Sequence, residues 1–149
     1  MARVAGAQPG TARTAGFGLR PSVGATAVVG PHTLGLLSAG LEGDAGLYAR
    51  LGLVAGVGAT TGSGGRAVGE VAGIGRFLLD PLRQAPRGIY ATGGLAVRVE
   101  RTARPRTFVL AGLGLEGRPL GRVVPAIEAG VGGGARLGVV LRPLRPGRR

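Results

Sequence analysis

An alternation of apolar with small or ionisable residues, period two, runs through most of this chain and is cleanest near its end. In GRVVPAIEAGVGGGARLGVVLR, Gly121 to Arg142, Val123, Pro125, Ile127, Ala129 and Val131 share one parity, and Arg122, Val124, Glu128 and Gly130 share the other. After Gly132-Gly133-Gly134 the apolar row resumes with Ala135, Leu137, Val139 and Leu141, against Arg136, Gly138, Val140 and Arg142. Successive side chains of a strand point to opposite faces, so the pattern predicts a glycine-linked pair of strands with one apolar and one mixed face. A soluble sandwich buries the apolar face, whereas a membrane barrel turns it to lipid and keeps the charge in its lumen.

The same alternation recurs over Phe17–Val29, Thr33–Glu42, Leu47–Ala59, Arg66–Leu78, Gly88–Glu100 and Arg106–Glu116. Turn-forming stretches separate these runs: Gly30-Pro31-His32, Gly43-Asp44, TTGSGG from Thr60, DPLRQAPR from Asp80, Arg101 to Pro105, and Gly117-Arg118-Pro119. No segment carries a helical period. Strands of soluble proteins average about five or six residues, and spanning strands need about nine to eleven, which is closer to the runs seen here. The expectation is an all-β fold, an eight-stranded antiparallel up-and-down barrel with short turns, closed by pairing its first and last strands. It occupies 16–143, after a flexible N-terminal lead or signal-peptide remnant at 1–15 and before a basic flexible tail at 144–149. Ala5-Gly6-Ala7 before Gln8 has the small-x-small form of a signal cleavage site.

Charge complicates the picture. The formal net charge is +12, and Arg supplies every basic residue; Lys does not occur. A coding bias towards Arg, Ala, Gly and Pro is one explanation of this skew and the favoured one; contact with nucleic acid or anionic lipid is the other. Arg98, Arg101, Arg104 and Arg106 cluster round one turn, but Tyr48, Tyr90 and Phe108 are too sparse for a stacking platform, so no specific nucleic-acid partner is favoured.

Chemistry is constrained by what is missing. Without cysteine there is no disulfide or thiolate catalysis. His32 is the single histidine and has no neighbouring ligand or triad partner. Gly62 to Gly65 lacks the Lys-Ser/Thr ending of a phosphate loop. Glu70 and Glu128 share the inward parity, but arginine on every neighbouring run favours ion pairing over a catalytic carboxylate pair. No catalytic residue, metal site or cofactor is assigned, and a non-enzymatic protein is expected.

With the apolar faces outward, the lumen receives Arg20, Glu42, Arg50, Glu70, Arg76, Arg98, Glu100, Glu116, Arg122, Glu128, Arg136 and Arg142. An eight-stranded barrel holds side chains but no open pore. The expected network is Arg50, Glu70, Arg76, Arg98, Glu128 and Arg136, joined by bidentate bonds, with surplus arginines at the mouths. LYARLGLVAGVG from Leu47, GIYATGGLAVRVE from Gly88, RTFVLAGLGLEG from Arg106 and VVPAIEAGVGGGARLGVVLR from Val123 carry a resemblance. In these stretches the chain resembles the small eight-stranded outer-membrane β-barrels, the class of the transmembrane domain of the major outer-membrane protein A and its smaller relatives. The resemblance implies the cell outer membrane as location, and outer-membrane lipid and barrel-assembly machinery as partners, with room for an anionic envelope ligand. It implies a role in envelope structure, adhesion or small-ligand interaction. The alternative is a soluble basic β-barrel or sandwich that binds nucleic acid or another anionic partner.

Overall fold

The computed structural model describes residues 18–61, 65–79, 88–101 and 103–144. They form eight strands: β1 (Arg20–Val29), β2 (Leu34–Asp44), β3 (Ala49–Thr60), β4 (Ala67–Leu78), β5 (Gly88–Glu100), β6 (Ala103–Glu116), β7 (Val123–Val131) and β8 (Ala135–Pro143). Every strand pairs antiparallel with its sequence neighbour, and β1 pairs with β8, so the sheet closes into a barrel. There is no helix among the described residues. The lead at 1–15, the Asp80–Arg87 connector and nearly all of the tail at 144–149 lie outside them.

The stagger of the barrel can be read from its register. A walk across the ladders from Asp44 passes Arg50, Arg76, Thr92, Gly112, Gly130, Arg136 and Val28 and returns to β2 at Leu34, ten residues from its start. For eight strands such a stagger means a tilt of roughly 40°. The outward run of β3, Ala49 to Ala59, then spans about 25 Å along the barrel axis at about 3.3 Å per residue.

Closure leaves each strand with one face on the lumen and one outside. From β1 to β8, odd-numbered residues point out: Val23, Leu37, Leu53, Val71, Leu95, Leu113, Ile127 and Leu137 are all more than half exposed. Even-numbered residues fill the interior. Val28, Leu34, Leu36 and Val68 form one apolar cluster there, and Ala72, Ile74, Ala96 and Leu110 form another, against which Val54 packs.

Three local features differ from the sequence-based expectation. β6 begins at Ala103, so the β5–β6 connection is only two residues long, and Pro105 lies inside a strand. A register shift between Arg98 and Glu100 explains this, since Arg104 and Pro105 together oppose Val99. Proline lacks an N–H, and a bulge is one of the few places in a sheet that tolerates it. Tyr48 does not continue the inward row of β3. It precedes the strand, and its ring stacks on outward-facing Phe77 at a centroid distance of 6.1 Å. β1 begins only at Arg20, since Gly18 and Leu19 are not part of the strand, and Phe17 lies outside the described residues. The β7–β8 turn uses its glycines differently from ordinary linkers: Gly133 and Gly134 have φ of 66° and 143°, which L side chains rarely adopt.

Candidate functional site

The barrel interior is the most heavily functionalised part of the molecule. Glu70 on β4 is buried and accepts hydrogen bonds from Arg98 of β5, through Nε at 3.0 Å and Nη2 at 2.7 Å. Its other oxygen accepts from Arg136 Nη2 of β8 at 2.6 Å. The register sets Glu70 opposite Arg98, so this contact, two donors on one carboxylate oxygen, is a direct cross-strand one. Arg98 also lies 4.9 Å from the Phe108 ring centre, which covers one face of its guanidinium. Arg136 donates a further bond to the Gly132 carbonyl at 3.3 Å.

A second and larger group lies towards the end that holds the β4–β5 and β6–β7 connections. Arg76 bridges Glu42 and Glu128, both at 2.9 Å. Arg142 reaches Glu42 at 3.2 Å, Glu128 at 3.1 Å and Glu116 at 3.3 Å. Tyr90 is fully buried beneath Arg142 and Arg76; its hydroxyl donates to Glu128 at 2.7 Å and accepts from Arg142 at 3.2 Å. Arg50 pairs with Glu116 and lies 3.6 Å from Asp44, which also pairs with Arg20.

Parity places Arg50, Glu70, Arg76, Arg98, Glu128 and Arg136 on the lumen side, but they divide between two groups. Glu70, Arg98 and Arg136 make one; Arg50, Arg76 and Glu128 belong to the other. Glu42, Glu116, Arg142, Tyr90 and Asp44 complete the second group. Asp44 reads as a turn residue in sequence, and only the continuation of β2 to that position turns it inward. Two residues of the expected lumen row fall elsewhere: Arg122 is exposed in the β6–β7 connection, and Glu100 sits half-buried at the β5–β6 hairpin, with no bridge among the described residues.

The bridged set thus comprises six arginines (20, 50, 76, 98, 136, 142) and five carboxylates (42, 44, 70, 116, 128). The interior is nearly neutral, although the chain is strongly basic. A cavity of about 110 Å³ separates the two groups. Glu70 and Arg136 line it, as do Arg76 and Glu128, with Ser22, Thr26, Ser38 and Thr92 supplying hydroxyls between apolar walls. Its size suits a few waters or one small molecule, not a continuous pore.

No group of three or more metal-ligating side chains occurs among the described residues, and His32 is exposed in the β1–β2 turn. The arrangement locks strands together through charge-assisted bonds. No protein-family model matches the chain, and no curated protein sequence matches it either. The structure defines the class of a closed eight-stranded antiparallel β-barrel with a salt-bridged interior.

Proposed function

We propose that this chain is a non-enzymatic barrel of the cell outer membrane, with a filled lumen, serving envelope structure, adhesion or small-ligand interaction. The observation that carries the reading is the outer surface. Between Pro21 and Val99 on β1 to β5, and from Thr107 to Pro143 on β6 to β8, no outward-facing strand position bears a charge, and Thr107 alone is polar. Exposed apolar patches of more than a few hundred Å² mark interfaces with protein or membrane. An apolar surface that encircles the barrel and is about 25 Å high fits the hydrocarbon-facing band of an outer-membrane barrel.

The inverted arrangement inside supports the same reading. A soluble barrel places its leucines in the core, whereas here Leu53 is 67 % exposed and Arg76 only 4 %. Outer-membrane lipid and barrel-assembly machinery follow as partners. The experiment is expression from the complete gene, then membrane fractionation and gel mobility with and without boiling. A folded barrel stays with the outer membrane through a salt wash and shifts in mobility on boiling. Release by salt as a soluble nucleic-acid complex would instead select the basic binding module.

A further inference from the structure

The arginines outside the two bridged groups are not spread evenly. Every arginine within those groups bridges a carboxylate, but among the described residues Arg66, Arg101, Arg104 and Arg106 bridge none. All four are exposed at one end of the barrel. Register brings them together: Val68 pairs with Glu100, so Arg66 follows the β4 edge up to the Arg101 turn. Arg98 and Arg106 are direct partners and share the lumen face, but Arg98 turns down to Glu70 while Arg106 stays exposed at the rim without a carboxylate. Glu100 is the only acid on this hairpin, so the patch carries a net charge of about +3 by formal count.

The hairpin also overshoots its neighbour. β7 pairs with β6 only from Ala111 to Glu116, so Ala103 to Leu110 has no strand partner on that side among the described residues. The shoulder this creates is cationic above and apolar below, because Val97, Val99 and Val109 face outward beneath the arginines at 41 %, 50 % and 70 % exposure. We infer that the β5–β6 hairpin is a docking surface for the phosphate headgroups of anionic membrane lipids, whose acyl chains lie on the valine wall. This rests on the membrane reading above. Arginine suits the task because its planar fork grips phosphate oxygens bidentately. Single-stranded nucleic acid fits less well: its bases stack on open aromatic faces, while Phe108 is covered by Arg98 and the exposed Tyr48–Phe77 pair lies at the opposite end.

The test uses the full-length barrel folded into phosphatidylcholine vesicles, alone or doped with phosphatidic acid, and measures enrichment of the doped lipid around the protein. The variants are R101Q/R104Q/R106Q and, at the other end, R118Q/R122Q. Each arginine near a charged surface contributes roughly fivefold, so the triple variant is expected to lose lipid preference by about a hundredfold, with unchanged boiling-dependent gel mobility. R118Q/R122Q is expected to keep the preference. Insertion of both variants with equal lipid enrichment would overturn the docking surface and leave the membrane barrel standing. Failure of the unmodified chain to insert in either vesicle, with the hairpin arginines instead required for binding an oligonucleotide, would overturn both.

Discussion

Removal of the Glu70 carboxylate tests the lumen most sharply. Glu70 is 7 % exposed and is the one carboxylate that Arg98 and Arg136 bridge among the described residues. The Glu70→Ala substitution leaves Arg98, itself 8 % exposed, as a charge in a narrow space without its counterion. Breaking one side of a buried ion pair costs about 3–5 kcal/mol. Arg136 adds less, because its side chain is 17 % exposed and keeps the Gly132 carbonyl. Glu128→Ala should behave differently. Its arginines both retain Glu42, and Arg142 also retains Glu116, so the loss is mainly that of hydrogen bonds, including the one from Tyr90. That amounts to about 1–2 kcal/mol. Urea unfolding in lipid vesicles, followed by circular dichroism and by boiling-dependent gel mobility, reads both values. Glu70→Gln, which keeps the shape and an acceptor oxygen, should fall between Glu70→Ala and the unmodified chain. A Glu128→Ala cost equal to or larger than that of Glu70→Ala would refute the division into an unshared and a shared counterion.

Three further outcomes follow from particular contacts. Gly114→Ala should destabilise by about 1–3 kcal/mol, since a Cβ there would meet the Tyr90 ring at 2.1 Å and that ring is fully buried; unchanged urea unfolding would mean the ring can move. Tyr90→Phe keeps the packing but removes the hydroxyl between Arg142 and Glu128, and should cost about 1 kcal/mol in the same assay. Leu53→Arg should cost about 2–4 kcal/mol in a bilayer if Leu53 lies near its midplane, and a full-strength fold in vesicles would count against lipid contact at β3.

The fold was largely legible because its two faces differ so strongly. Leu51, Leu53, Ala55 and Val57 against Gly52, Val54, Gly56 and Gly58 already separate outside from inside, and β3 keeps that assignment. Strand ends were less legible. Pro105 reads as a turn residue in sequence, and a bulge absorbs it in the structure. Tyr48 reads as inward by parity, but the strand starts one residue later and its ring turns to Phe77. Choice of partners was the least legible part. Parity puts Arg76 and Glu70 on the same strand face, yet the barrel's stagger carries Arg76 to Glu42 and Glu128 and leaves Glu70 to Arg98 and Arg136. Such pairings depend on the accumulated register of eight ladders, and no short window of sequence contains it. Asp44 shows the same thing on a smaller scale, since its inward position depends on how far β2 runs beyond Glu42.

How so basic a chain can present an uncharged belt follows from where the arginines of the described residues lie. Six are neutralised to within one charge by five carboxylates in the lumen, and four stand together on the β5–β6 end. Arg118 and Arg122 are exposed at the other end. The outward strand faces take none over the height of the belt. An unpaired charge inside would cost more than the fold could recover, so interior arginines arrive with acids on adjoining strands. An unpaired charge at a mouth meets water and is cheap, so acids are not needed there. Among the described residues, the excess of arginine over acid is therefore a property of the two ends. Glycine at inward positions makes the interior part of this arrangement sterically feasible. Gly114 faces Tyr90, and Gly52 lies 3.0 Å from the Glu42 side chain where its own Cβ would stand, so long polar side chains occupy space that neighbouring residues leave open. On the outer face the neighbours of glycine are apolar instead: Gly73 and Gly75 of β4 lie beside Leu53 and Leu51 of β3.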